Sequence, residues 1–68
     1  PETPVWMYLG GMKEKYSLPL ILRFSEGMSD QEIAGILNVP RGTIASRLSR
    51  GLKMLKQELE REEKGHGR

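Results

Sequence analysis

Five cations, Arg41, Arg47, Arg50, Lys53 and Lys56, fall within residues 41–56, a stretch that contains no acid. Side chains of this kind work by pairing with anions: ammonium and guanidinium groups neutralise phosphates, and a guanidinium can also present two parallel N–H donors to the edge of a guanine. Most of the acids lie on either side, with Glu26, Asp30 and Glu32 before the stretch and Glu58, Glu60, Glu62 and Glu63 after it. This segregation says more than the formal net charge of +2. It is the electrostatic footprint of a nucleic-acid surface and equally that of a solvated helix face, so charge alone leaves both open. Nothing comparable supports catalysis. The chain has one histidine, His66, near its end, no cysteine, and no carboxylate pair in an apolar setting that would shift a pKa. No His, Asp and Glu residues fall at metal-ligand spacing, so the expectation is a protein that is not an enzyme and carries no metal or cofactor.

The scaffold that must position the cations is small. With 68 residues, 37% of them hydrophobic, the chain can form one domain with one core, and a domain of this size hides only about 60% of the surface its unfolded chain exposes. Without disulfides or zinc, packed helices must hold it together. Val5, Trp6, Leu9 and Met12 recur at helical intervals and predict a short first helix, interrupted at Gly10-Gly11. Tyr16, Leu20, Ile21 and Phe24, with Leu18 and Leu22 beside them, predict a second helix over residues 13–26, and Pro19 argues that its regular part begins near Ser17. Gly27 suits a left-handed helix end, and residues 29–32 have the spacing of a capping box for a third helix carrying Ile33, Ala34, Ile36 and Leu37. Asn38 can adopt positive φ, and Pro40 suits the first position of a fourth helix striped by Ile44, Leu48, Leu52, Leu55 and Leu59.

The expected fold is therefore all-α, four helices with a long last one, over residues 1–64, with residues 65–68 as a disordered tail. Trp6, Leu20, Ile21, Phe24, Ile33, Leu37, Ile44 and Leu48 form the expected core, and Met7, Met12, Met28 and Met54 serve as filler. No apolar run approaches the ~20 residues of a membrane span, and none follows a basic start as in a signal peptide, so no membrane partner and a cytoplasmic location are expected. A chain beginning at Pro1 is expected to be a piece of a longer protein.

A short helix, a turn at Asn38-Val39-Pro40 and a second helix bearing the cations have the plan of a helix-turn-helix, whose second helix enters the major groove. Ala34 is small where the two helices would cross, Val39 can plug the turn, and Ile44 can anchor the second helix. A plain helical hairpin would use the same apolar positions but would not need an acid-free face.

Residues 16–29 (Tyr-Ser-Leu-Pro-Leu-Ile-Leu-Arg-Phe-Ser-Glu-Gly-Met-Ser), then Glu32-Ile33-Ala34, residues 36–40 and Gly42-Thr43-Ile44-Ala45-Ser46-Arg47-Leu48, together resemble region 4 of a bacterial RNA polymerase sigma factor of the sigma-70 class, extracytoplasmic-function group. The resemblance runs over about residues 9–59, and its Gly-Thr-Ile-Ala-Ser-Arg-Leu segment is more specific than a generic helix-turn-helix. It implies a domain that recognises the minus-35 element of double-stranded promoter DNA while docking on the β flap of the RNA polymerase core, in the bacterial cytoplasm, with an anti-sigma factor as a further partner. Carried over residue by residue, Pro40, Arg41, Gly42 and Thr43 open the recognition helix at the DNA, where backbone N–H groups meet a phosphate and Gly42 permits close approach. Ser46, Ser49 and Arg50 fall on the groove side, Arg50 reaching a guanine, while Arg47 and Lys53 meet phosphates. Lys56 lies too far along. Met12, Tyr16 and their neighbours on the first two helices are expected to form an apolar groove for the flap.

The sequence departs from the family pattern at Ala45, where Lys or Arg is frequent, at Asn38 in place of Gly, at Lys13 in place of Pro, and at Gly10-Gly11. The promoter-melting region that reads the minus-10 element is not among these residues, so this piece alone is not expected to direct initiation. Two other readings share the residues: the effector domain of a response regulator or quorum-sensing activator, disfavoured by residues 16–27, and an interaction module whose basic helix binds an acidic partner protein.

Overall fold

Ser29 and Glu32 satisfy each other's backbone: the Ser29 hydroxyl accepts from the Glu32 N–H at 3.1 Å, and the Glu32 carboxylate accepts from the Ser29 N–H at 2.9 Å. This capping box opens the third of four helices in a computed structural model that describes the backbone of residues 5–66 and the side chains of residues 7–61. The helices are α1 (Val5–Gly10), α2 (Glu14–Phe24), α3 (Asp30–Leu37) and α4 (Arg41–His66), and no strand occurs among the described residues. The fold class is all-α.

Each connection has a local cause. After α1 the Gly11 N–H donates to the Tyr8 carbonyl at 3.1 Å and the Met12 N–H to Leu9 at 3.1 Å, a tight turn at the two glycines. Beyond α2, Gly27 takes φ 68°, and the Met28 N–H reaches back to the Leu22 carbonyl at 3.2 Å. Asn38 ends α3 in the left-handed region at φ 58°, ψ 48°, a conformation its short amide side chain tolerates. The Pro40 carbonyl accepts from the Thr43 and Ile44 N–H groups, which places Pro40 at the N-cap, one residue earlier than the sequence suggested. An exposed ion pair between Arg23 and Asp30 joins the end of α2 to the start of α3.

The buried core is Leu20, Ile33, Ala34, Ile44 and Leu48, with Leu9, Met12, Leu22, Met28, Leu37 and Val39 packed against it. Ala34 and Ile44 thus hold α3 against α4, and Val39 closes the turn from inside. Two expected core residues are on the surface: Ile21 is 39% exposed and Phe24 66%. In α2 the inward direction is set by Ser17 and Leu20, and Ile21 lies about 100° around the helix from Leu20, on a side that neither α3 nor α4 covers. The Trp6 side chain lies outside the described residues. Met7, expected as filler, is 61% exposed.

Two features of helix length also differ from expectation. Pro19 lies within α2, which begins at Glu14 rather than near Ser17. Its missing N–H forfeits one bond of the ladder, while its ring is among the most fully buried side chains, so packing offsets the loss. In the α4 stripe Ile44 and Leu48 are buried, whereas Leu52 and Leu59 are exposed. At 26 residues α4 is about 39 Å long, most of the 44 Å long axis of the molecule, so its second half outruns α2 and α3. The helical backbone continues through Gly65 and His66; Gly67 and Arg68 lie outside the described residues. Among the described residues no helix is long and apolar enough to cross a membrane.

Candidate nucleic-acid interface

The first half of α4 is held from one side only. Ile44 and Leu48 point into the core, and Gly51 brings the helix close to α2: a Cβ at Gly51 would stand 3.0 Å from Leu20 Cδ1 and 3.5 Å from the Tyr16 carbonyl oxygen. With that side committed, the helical repeat turns Gly42, Ala45, Ser46, Ser49, Arg50 and Lys53 outward, and all are exposed. Thr43 and Arg47 flank this face and are half-buried, while Arg41, at the first residue of α4, is exposed. Pro40 has no polar side chain to cap the helix, so it leaves the first-turn N–H groups of Arg41 and Gly42 free for an anion at the positive end of the helix dipole.

Gly42, Thr43, Ser46, Arg47 and Arg50 line one open depression of about 400 Å³ together with Tyr16 of α2. The structure thus brings together five of the residues singled out from the sequence and leaves Arg41, Ser49 and Lys53 exposed but outside its lining. Ala45 lies on the exposed face and offers only a methyl group, so no cation stands there.

Tyr16 is the residue that sequence reasoning missed for this surface. Its spacing with Leu20 placed it among the apolar residues of the second helix, and with Met12 in the expected groove for the flap, yet the half-buried Tyr16 also lines this depression. The signal available in the sequence was a phenol, which carries a polar tip on an apolar body, next to Lys15. The Lys15 Nζ lies 5.2 Å from the centroid of the Tyr16 ring. Desolvation pushes the Tyr16 pKa up, but the Arg50 guanidinium as hydrogen-bonding and charged neighbour, with the Lys15 ammonium beside it, outweighs that and holds it below its ordinary value.

A second concavity, of about 630 Å³, lies on the other side of Tyr16. Met7, Tyr8 and Met12 of α1 and its turn face Met54 of α4 across it, with Lys13, Gln57 and Glu58 at its polar margin. This is where Met12 and Tyr16 meet. The groove is closed by the second half of α4 rather than by the first two helices alone.

The family described as "Sigma-70, region 4" matches residues 3–55 of the chain. The "ECF RNA polymerase sigma factor SigW" of Bacillus subtilis (strain 168) is 35% identical over 48 residues, which cover 71% of this chain and 26% of that protein. The chain therefore spans about a quarter of the length of this relative.

Proposed function

The chain belongs to the sigma-70 region 4 family, and on that premise we propose that it is the minus-35 reading domain of an extracytoplasmic-function sigma factor. In this reading α4 enters the major groove of promoter DNA in the bacterial cytoplasm, and the apolar groove beside Tyr16 receives the β flap of RNA polymerase. An anti-sigma factor would compete for one or both surfaces. The domain binds and positions; it performs no chemical step of its own.

The observation that carries the DNA half is the acid-free, outward face of α4, where Ser46, Arg47 and Arg50 share one depression with the uncapped first turn. Arg50 has the reach and the planar donor pair for a guanine edge. Arg47, half-buried beside the depression, and Lys53, outside it, suit phosphates, which fix the helix on the duplex without reading it. The docking half rests on Met7, Met12 and Met54, flexible side chains able to repack around an inserted apolar helix.

Selection of bound duplexes from a randomised pool tests the first half, followed by anisotropy titration of the enriched and scrambled duplexes at several salt concentrations. The expected result is a recovered motif with log–log salt slopes of roughly −0.9 per phosphate neutralised. Binding that enriches no sequence would reduce α4 to a non-specific cationic surface. For the second half, a pull-down with the isolated flap should retain the folded domain, and failure to retain it removes the docking role.

A further inference from the structure

Tyr16 forms part of the wall of both concavities. It lines, with Arg50, the depression on the outward face of α4, and it lines the methionine groove with Met12 and Met54. Its backbone is fixed at the tightest approach of α2 to α4, where the Tyr16 carbonyl oxygen would stand 3.5 Å from a Cβ at Gly51, the residue after Arg50. Arg50 itself is exposed, joins no ion pair among the described residues, and extends from a helix face with no other side chain on α2 to steady it in the depression. An unheld arginine loses rotamer freedom when it docks on a base, and a partner that fixes it beforehand reduces that loss.

We infer that Tyr16 is a positioning residue for DNA sequence reading, its phenol oxygen holding the Arg50 guanidinium in the orientation that meets a base edge. The inference rests on the proposed base-reading role of Arg50 and adds a residue from outside the helix-turn-helix to the specificity of that site. The phenol is suited to this task. As a neutral acceptor it orients a guanidinium without neutralising it, so the full positive charge is left for DNA, which a carboxylate in the same place would not allow. Lys15 lies on the ring side of Tyr16, with its Nζ 5.2 Å from the ring centroid. Because the ring also walls the methionine groove, whatever fills that groove bears on the side chain that steadies Arg50.

Tyr16→Phe keeps the ring in place and removes only the oxygen. Wild type, Y16F, R50A and the double variant are titrated by anisotropy against the selected duplex and a scrambled one, with thermal melts to confirm that each is folded. Loss of one orienting hydrogen bond should lower the preference of Y16F for the selected duplex by about 2- to 12-fold. Binding to scrambled DNA and the salt slope should not change, and Y16F should add nothing in the R50A background. A merely structural role would weaken both duplexes together. In the free protein, ¹⁵N relaxation of the Arg50 side-chain Nε–H should show greater mobility in Y16F than in wild type. Undiminished preference in Y16F overturns the positioning role. If R50A alone loses preference, base reading by Arg50 stands without Tyr16; if neither variant loses it, the base-reading assignment falls as well.

Discussion

Gly51→Ala sets two effects of known size against each other at the crossing of α2 and α4. Gly51 lies in the middle of α4, where replacing glycine by alanine removes backbone freedom from the unfolded chain and favours the helix by about 1 kcal/mol. The added methyl, however, would stand 3.0 Å from Leu20 Cδ1 and 3.4 Å from Leu20 Cγ. Leu20 is 2% exposed and enclosed by the rest of the core, so it cannot swing away without displacing Ile33 or Ile44. Overpacking of that kind costs about 1–3 kcal/mol, so the net change is a loss of roughly 0–2 kcal/mol. Gly35 supplies the control: it lies inside α3, and a Cβ there would meet nothing within 4 Å, so Gly35→Ala should stabilise by the full ~1 kcal/mol. Urea denaturation of the two variants and wild type reads the difference, and thermal melts should separate them too, since 1 kcal/mol shifts the midpoint of a domain this size by about 4–8 °C. Equal stabilisation by the two substitutions would show that α2 and α4 are not in close contact at Leu20 and Tyr16, and the geometry argued for Arg50 would go with it.

Four further outcomes follow from the structure. Ser29→Ala removes the reciprocal cap of α3 and should cost about 1 kcal/mol by chemical denaturation. Asn38→Ala places a residue with no compensating side-chain hydrogen bond at φ 58° and should cost about 1–2 kcal/mol, whereas Asn38→Gly should be close to neutral in the same assay. Leu48→Ala deletes a core side chain that is 8% exposed and should cost about 2–5 kcal/mol; a loss under ~0.5 kcal/mol would mean that the buried half of α4 has been assigned to the wrong face. Lys53→Ala should weaken binding to all duplexes alike and reduce the magnitude of the salt slope by about one unit in anisotropy titrations, in contrast to the sequence-dependent loss expected for Arg50→Ala.

Local chemistry made the punctuation of this fold legible in the sequence. The capping box at Ser29 and Glu32, the left-handed Gly27 and Asn38, and the stop at Gly10 all depend on residues adjacent in the chain, and each stands where the residue types indicate. What the sequence misplaced depends on how many layers cover a helix. Ile21 and Phe24 have the right periodicity for burial, but Ile21 turns to a side of α2 away from α4, and Phe24, the last residue of α2, borders only an open depression with Leu48 and Leu52. Leu52 and Leu59 continue a perfect stripe but are exposed, Leu52 at the rim of an open depression with Arg23 and Phe24. Pro19 was read as a boundary because a helix interior usually rejects proline, and only the buried ring shows why this one is accepted. At the candidate site, the cations were visible as charge, and the companion Tyr16 was not, because its contact with α4 spans more than thirty residues of chain.

The charge boundary along α4 coincides with a boundary between its two surfaces. Up to Lys56 the helix carries cations and no acid, and the depression shared by Ser46, Arg47 and Arg50 lies within that part. From Gln57 the composition reverses, with Glu58 the first acid, and both residues line the methionine groove rather than the depression of Arg50. An acid one turn nearer the N-terminus would repel the phosphates that the cations attract, while at residue 58 it lies about 12 Å along the axis from Arg50, beyond the roughly 8 Å screening length at physiological salt. A single rigid helix can therefore present an anion-seeking surface in its first half and a mixed apolar one in its second, with Arg50 beyond the screening length from Glu58. Tyr16 lines both concavities.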